Sequence, residues 1–143
     1  MTVEHVNAIV PNMQPMQADF GPNMTPEYVR GLLQFGKNFA ALYDGRVIAI
    51  GGTLELWKHR LQAWALLSND ARRHLLPLTR IVRAYFACQP ETRIETAVRS
   101  DFTAGHRWAR LCGFEREGTM RGYTEAGEDY DLYAMVKPWP SHC

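Results

Sequence analysis

The stretch Ser100–Tyr133 decides the fold of this chain, and its first part reads SDFTAGHRWARLCGFEREGTMRGY, ending at Tyr123. The side chain of Ser100 or Asp101 can accept a hydrogen bond from the free N–H groups of a first helical turn, so either residue can start a helix. Apolar residues at helical spacing then predict a stripe that faces the core: Ala104, Trp108, Leu111 and Cys112.

The end of this helix is equally well marked. Gly113 stands where a left-handed residue ends a helix, and Phe114 stands where an apolar contact back onto the last turn is expected. The segments Phe114–Tyr123 and Tyr130–Val136 are rich in aromatic and branched residues and flank a glycine-containing connection. They predict a β-hairpin after the helix.

This order of helix, Gly-Phe pair and Glu-Gly-x-x-Arg strand resembles the C-terminal half of the GNAT acetyltransferase superfamily. The positions that carry the resemblance are Trp108, Leu111, Gly113, Phe114, Glu117, Gly118 and Arg121. It implies a GNAT-like α+β fold of the three-layer α/β type, with a mixed central sheet of six to seven strands and three to four flanking helices. The alternative is an unrelated α+β domain, because a capped helix followed by a hairpin occurs in many of them.

Length and composition point to one domain, residues 1–143, with an ordinary core, since 46% of residues are hydrophobic and 22% charged. No apolar run is long enough for a membrane span and no signal-peptide layout is present, so a cytoplasmic protein without a membrane partner is predicted. The formal net charge of +1 argues against a nucleic-acid partner. The histidines lack ligand spacing, so no metal is expected, and Cys88 and Cys112 are predicted to be buried thiols.

The N-terminal half begins with a loosely alternating segment, Val3–Val10, which predicts a first strand. Thr25 and Pro26 predict the start of a short helix that Gly36 closes. The dipeptide Asp44–Gly45 between two apolar runs predicts a tight hairpin turn, because both residues tolerate positive φ. The pair Gly51–Gly52 inside the second strand predicts a bulge or a close approach of another backbone or a ligand.

The middle of the chain continues with an apolar strand, Leu61–Leu67, followed by the capping residues Ser68–Asp70 and a helix as far as Cys88. Pro77 interrupts that helical pattern and predicts a kink, or a helix that becomes regular only after it. A strand at Thr92–Val98 leads into the helix described first. The predicted order is therefore β, α, hairpin, β, α, β, α, hairpin, which is the GNAT order.

The resemblance also implies where acetyl-CoA binds. In the family its pantetheine pairs with an exposed strand edge and its pyrophosphate caps the next helix, where free N–H groups attract anions. The corresponding residues of the strand end and the next helix start are Leu66, Leu67, Ser68, Arg72, Arg73 and His74, and Arg110 of the last helix is added to them as a cofactor-binding candidate. The family's glycine-rich loop is replaced here by Arg73, Leu75 and Pro77, so Arg72 and Arg73 are expected to grip phosphate with their side chains.

Catalytic candidates follow from the same resemblance. The family often places an acidic tyrosine where this chain has Ala109, so Tyr123 is chosen as the general acid, with Tyr130 and Tyr133 as alternatives. Glu55, after the glycine pair, is chosen as the base that takes the proton of the attacking amine, with His59 behind it.

The sequence thus predicts an acetyl-CoA-dependent N-acetyltransferase that acts by direct attack of a primary amine, carried by a small molecule or a peptide, and a homodimer is possible. The rival prediction is a catalytically silent binding protein on the same scaffold. It comes from a narrower resemblance of Ala49–Gly52 and the following strand and Arg-rich helix to GNAT-like proteins of tailed bacteriophages, some of them virion-associated.

Overall fold

The computed structural model describes residues 1–20 and 24–138, with the side chains of residues 18–20 left out. Its α-helices are α1 (Val3–Ile9), α2 (Pro26–Phe35), α3 (Leu75–Ala87) and α4 (Thr103–Leu111). Its strands are β1 (Gly36–Tyr43), β2 (Arg46–Trp57), β3 (Arg60–Leu67), β4 (Arg93–Arg99), β5 (Glu115–Met120) and β6 (Tyr130–Val136). None of the described helices is both long and apolar enough to cross a bilayer.

The strands form one six-stranded sheet in the order β1-β2-β3-β4-β6-β5. The β3–β4 pair is parallel, whereas β1–β2, β4–β6 and β5–β6 are antiparallel. Parallel neighbours need a long crossover, and α3 provides it between β3 and β4. The sheet is therefore mixed, and the predicted α+β fold is confirmed at six strands and four described helices.

The chain separates into two compact units. The first consists of Met1–Leu54 with Ala63–Leu78, and its core is a cluster of buried apolar residues: Val6, Ile9, Met13, Val29, Ile50 and Leu66. The second consists of Glu55–Gln62 with the chain from Thr79 onward, and there the rings of Phe86 and Phe114 pack edge to face with centroids 5.4 Å apart. Each unit thus has an apolar interior of its own.

The predicted first strand at Val3–Val10 is wrong, because these residues form α1. The Thr2 side chain accepts a hydrogen bond from the N–H of His5, and the His5 side chain accepts one from the N–H of Thr2. This reciprocal cap satisfies donors that would otherwise be free in the first turn. Val6 and Ile9, three residues apart, are buried on one face of the helix.

The hairpin predicted at Asp44–Gly45 is confirmed, with φ of 51° at Asp44 and 77° at Gly45. The close approach predicted for the glycine pair is also confirmed. A Cβ on Gly51 would lie 2.8 Å from the Trp64 carbonyl oxygen, and one on Gly52 would lie 2.5 Å from the Lys37 carbonyl oxygen. These positions therefore exclude any side chain without a shift of the neighbouring strands.

The segment after β3 explains how Pro77 is tolerated. Asn69–His74 forms a 3-10 helix, and α3 begins only at Leu75, so Pro77 lies in the first turn of α3. The N–H groups of a first turn have no partner within the helix, so a missing N–H costs nothing there. The sequence pattern predicts a kink at Pro77 or a helix that is regular only beyond it. Instead, α3 starts two residues before Pro77.

The predictions for α4 are partly wrong. The cap position is Phe102, and neither Ser100 nor Asp101 caps the helix, because Ser100 Oγ donates to Asp131 and Asp101 pairs with Arg99. Two of the four predicted stripe positions are wrong, because Ala104 and Leu111 are exposed. Cys112 is buried as predicted and Trp108 is half-buried, whereas Ala109, which the predicted stripe left out, is buried. Gly113 ends the helix with φ of 100°, as predicted, and Phe114 is buried next to it.

The two described cysteines differ. Cys112 is buried as predicted, and its burial raises the pKa of the thiol to about 12. Cys88 is exposed, which corrects the prediction, because α3 ends at Ala87 and leaves Cys88 beyond the packed face. Cys143 lies outside the described residues.

Candidate active site on the edge of β3

The backbone groups at the end of β3 face two different edges. The N–H of Ser68 donates to the carbonyl of Ile48 on β2 at 2.9 Å, and the carbonyl of Trp64 also faces β2, beside Gly51. Backbone polar groups alternate between the two edges of a strand. Those of Ala65 and Leu67 therefore point to the edge away from β2.

That outer edge is paired with groups that do not belong to a strand. The side-chain amide of Gln17 donates from Nε2 to the carbonyl oxygen of Ala65 at 3.0 Å, and its Oε1 accepts from the N–H of Leu67 at 2.8 Å. The carbonyl of Leu67 in turn accepts from the N–H of Gln14 at 3.0 Å. The N–H and carbonyl groups of a strand edge are thus used to bind an amide.

The pairing of β3 with β4 covers only the start of the strand. Its register joins Arg60 with Arg93, Leu61 with Ile94, and Gln62 with Glu95. Ladder hydrogen bonds to a parallel neighbour therefore hold the first three residues of β3. The outer edge at Ala65 and Leu67 relies instead on Gln14 and Gln17.

The turn after β3 carries the predicted phosphate-binding residues. The buried Ser68 accepts from the N–H of Asp70 through Oγ at 3.2 Å, which starts the 3-10 helix. The ring of His74 lies against Tyr43, with centroids 4.0 Å apart. Arg72 and Arg73 are exposed and form no ion pair within residues 1–20 and 24–138. Their guanidinium groups are free to receive an anion.

The three candidate acids differ in accessibility. Tyr130 and Tyr133 are 3% and 0% exposed, whereas Tyr123 is 50% exposed and precedes the last strand. The hydroxyl of Tyr133 lies 2.7 Å from His106 Nδ1 and is committed to that contact. Of the three phenols, Tyr123 is the one that a solvent-borne substrate can reach.

The two candidate bases also differ. Glu55 lies on β2 with its side chain exposed and makes no hydrogen bond or ion pair with any described residue. His59 occupies the turn between β2 and β3 with φ of 72°, and its carbonyl accepts from the N–H of Arg93 at 3.0 Å. Glu55 is therefore a free carboxylate, whereas the backbone of His59 helps to fix the turn.

A chain of ion pairs locks the start of β3. The buried Glu95 accepts from Arg60 Nε at 3.0 Å and from Arg93 Nε at 2.8 Å, and Arg93 also pairs with Glu117 at 2.6 Å. Burial alone would raise the pKa of Glu95, but the hydrogen bonds and charges of the two arginines outweigh it and lower that pKa. Arg60 also lies 4.0 Å above the ring of Trp57.

A second polar cluster surrounds His106 in α4. Its Nε2 lies 3.0 Å from the carbonyl of Ser100, which can only accept, so Nε2 carries a proton. Asp131 accepts hydrogen bonds from Ser100, Thr119 and Arg116. Burial alone would raise the pKa of Asp131, but these hydrogen bonds outweigh burial, so the pKa is lowered. The cluster is a set of satisfied hydrogen bonds that holds α4 against the last strands.

Arg110 lies on the rim of an open depression of about 430 Å³ beside this cluster. The residues that line it are Thr103, His106, Arg107, Arg110, Arg116 and Asp131. Arg107 and Arg110 are exposed and unpaired within the described chain, so the rim is positively charged. In the described ranges no group of three or more His, Cys, Asp or Glu side chains is placed to hold a metal ion.

The predicted site residues fall into two sets. Leu66, Leu67 and Ser68 are joined in the first unit by Arg72, Arg73 and His74, whereas Glu55, Arg110 and Tyr123 lie in the second. Sequence reasoning missed Gln14 and Gln17. No local pattern marks Gln17, because its partners are 48 and 50 residues away in the chain.

Comparison with solved structures shows which proteins share this architecture. A probable acetyltransferase from Staphylococcus epidermidis superposes with a TM-score of 0.79 over 94% of this chain and 92% of its own, at 12% identity. The ribosomal-protein-S18-alanine N-acetyltransferase from Escherichia coli gives 0.69 over 100% and 95%, at 16% identity. A spermidine N-acetyltransferase from Vibrio cholerae gives 0.61 over 77% and 72%, at 12% identity. No protein-family model and no curated protein matches the sequence.

At these identities the comparisons establish the fold. The chain has the architecture of GNAT acetyltransferases along almost its whole length, as the helix, Gly-Phe pair and hairpin predicted. The similar structures named here are bacterial acetyltransferases, so they lend no support to the narrower phage resemblance.

Proposed function

We propose that this protein is an acetyl-CoA-dependent N-acetyltransferase that acts on a primary amine. The observation that carries the proposal is the outer edge of β3, where the N–H of Leu67 and the carbonyl of Ala65 bind an amide group. Pantetheine contains amides in an extended chain, so it can pair with the same backbone groups. The fold shared with N-acetyltransferases supports this assignment.

The residues next to this edge suit the remainder of the co-substrate. Ser68 ends β3 and starts the turn that carries Arg72 and Arg73. Their exposed guanidinium groups can bind a pyrophosphate bidentately, which replaces the backbone donors of a glycine-rich loop. Arg110 remains a proposed phosphate ligand on α4.

Bound acetyl-CoA would supply the thioester carbonyl that the amine attacks. As the nitrogen–carbon bond forms and the carbon–sulfur bond breaks, one proton leaves the amine and one reaches the thiolate. We assign the first to Glu55, an exposed carboxylate with no partner among the described residues, and the second to Tyr123, the accessible phenol. The acceptor belongs to the class of amines for which the similar enzymes are named, a ribosomal-protein alanine or spermidine.

Two measurements test the proposal. Thiol release from acetyl-CoA across a panel of amines, peptides and polyamines should show turnover with at least one acceptor, and Glu55→Gln should reduce kcat by roughly 10² or more. Calorimetric titration with acetyl-CoA should show binding that weakens in Arg72→Ala and Arg73→Ala. Arg30→Ala is the matched control, because Arg30 is exposed and pairs with Glu27 on α2. No heat from the parent protein at millimolar ligand would refute the proposal.

The second candidate is a binding protein on the same scaffold without turnover. It is favoured by one observation, that Arg73, Leu75 and Pro77 replace glycines, so side chains stand where backbone usually meets phosphate. Binding of acetyl-CoA without thiol release on any acceptor would favour this candidate.

A further inference from the structure

We propose that Gln17 is an internal occupant of the amide-binding edge of β3 and sets how tightly the protein binds acetyl-CoA. The inference rests on the proposed function and names a determinant of affinity within the same site. Its basis is the pair of hydrogen bonds from the Gln17 amide to Ala65 and Leu67, which use the backbone groups that an amide-bearing ligand needs.

The fit of this side chain is chemical as well as spatial. A primary amide presents an oxygen and an N–H on the same side, and these match the N–H of Leu67 and the carbonyl of Ala65, at 2.8 and 3.0 Å. An extended ligand would satisfy the same two groups with amides of its own. The N–H of Leu67 has one hydrogen and can donate with good geometry to one acceptor, so the Gln17 oxygen and a ligand carbonyl compete for it. Gln17 and such a ligand therefore exclude each other.

The backbone of Gln17 is held by a local turn, and its side chain is held at β3 by two neutral hydrogen bonds that a ligand can displace. Its own N–H donates to the carbonyl of Gln14 at 2.8 Å, so a short turn aims the side chain at β3. The side chain is only partly buried, and both bonds to β3 are between neutral groups. Neutral hydrogen bonds contribute little net free energy, because water can replace each partner. A ligand can displace this contact without moving the core.

The consequence follows from mass action. When a site is open in only a fraction of molecules, the apparent dissociation constant is the intrinsic constant divided by that fraction. Removal of the Gln17 amide should therefore tighten acetyl-CoA binding, whereas removal of an ordinary ligand-binding residue would weaken it. This direction of change distinguishes an internal competitor from a contact residue.

The first arm of the test is calorimetry with acetyl-CoA on the full chain. Gln17→Ala should lower the dissociation constant about fivefold, because the two neutral hydrogen bonds that keep the edge closed have a small net free energy. Gln17→Met, which keeps the length of the side chain but not its hydrogen bonds, should lower it as well. Gln34→Ala is the matched control and should leave the constant unchanged, since Gln34 is an exposed glutamine on α2.

The second arm needs no ligand. Amide hydrogen exchange should become faster at Leu67 in Gln17→Ala, while Ser68, which donates to Ile48 on the other edge of the strand, stays protected. Loss of protection at Leu67 alone shows that the contact exists in solution and that β3 remains folded.

The possible outcomes distinguish a failure of the role proposed for Gln17 from a failure of the proposed acetyltransferase function. Faster exchange at Leu67 together with tighter binding supports the role of Gln17. Faster exchange with measurable but unchanged or weaker binding overturns that role and leaves the proposed function standing. Faster exchange with no acetyl-CoA binding in any variant overturns both. Unchanged exchange at Leu67 overturns the contact itself.

Discussion

The two ends of β3 are held by different kinds of partner. At its start, Arg60–Gln62 pairs with a parallel neighbour, and Arg60 is tied through Glu95 to Arg93. At its end, the outer edge of Ala65–Leu67 is paired by a glutamine side chain and one loop N–H. One strand thus combines a charged, multiply bonded end with an end closed by neutral and replaceable groups.

This difference indicates how a strand can keep backbone groups for ligand binding without leaving those groups unpaired in the resting protein. Unpaired N–H and carbonyl groups on an exposed strand invite association with other chains. A single amide side chain covers such groups in the resting protein and can yield to a ligand, whereas an ion-pair network cannot yield without a large loss of stability. The start of β3 is therefore suited to hold the fold, and its end is suited to binding.

The largest effect is expected at the charged end. Glu95→Gln should lower the free energy of unfolding by about 3 kcal/mol, because two partly buried arginines lose the carboxylate that both contact. Urea denaturation measures it. Glu27→Gln is the control, since its exposed pair with Arg30 should contribute under about 0.5 kcal/mol. Equal losses in the two variants would break the comparison.

Acid should act on the same end. The pKa of Glu95 is lowered in the folded protein, so its contribution to stability is present above its unfolded pKa, about 4.3. It is lost as pH falls from there through the lower folded pKa. Denaturation between about pH 5 and 3 should therefore show a shallower loss of stability in Glu95→Gln than in the parent. Parallel curves for the two proteins would show that Glu95 is not linked to acid unfolding.

A smaller loss is expected at the neutral end. Gln17→Ala should lower the free energy of unfolding by about 1 kcal/mol, since both its bonds to β3 are neutral and water can replace them. The measurement is again urea denaturation, with Gln34→Ala, an exposed glutamine on α2, as the control. A loss as large as that of Glu95→Gln would mean that Gln17 is part of the structural framework. The proposed difference between the two ends of β3 would then be wrong.

The smallest effect concerns the turn after β3. Arg46 and Asp70 pair at 3.7 Å with both side chains largely exposed, so Arg46→Gln should change the free energy of unfolding by only about 0.3 kcal/mol. Thermal unfolding at low and high salt measures it. A loss above about 1 kcal/mol would show that charge also holds this end of the strand.

Local signals in the sequence predicted the elements whose ends are chemically marked. Thr25 accepts from the N–H of Tyr28, Asp44–Gly45 forms the turn, and Gly113 ends α4. The errors arose where two patterns compete. Val3–Val10 alternates loosely, yet the reciprocal cap with His5 favours a helix. Ser100, a predicted cap of α4, bonds instead to Asp131.

The candidate site was predictable only in part, for a related reason. The end of β3 and the turn with Arg72 and Arg73 follow from element order, since a strand that leads into a helix places free amides at their junction. The occupant of that edge does not follow, because Gln17 reaches Ala65 and Leu67 across 48 and 50 residues. A lone glutamine in a loop has no spacing that could reveal its partner.

From Thr25 onward, the sequence by itself determined the order of helices and strands and, through caps, turns and apolar spacing, the GNAT architecture. These are short-range properties, in which a residue and its neighbours within one or two turns decide the backbone. Tertiary structure alone decided which groups pair with the outer edge of β3 and which face of α4 is buried. Those outcomes depend on hydrogen bonds between residues that are far apart in the sequence. Such bonds form only in the folded chain, so no local pattern predicts them.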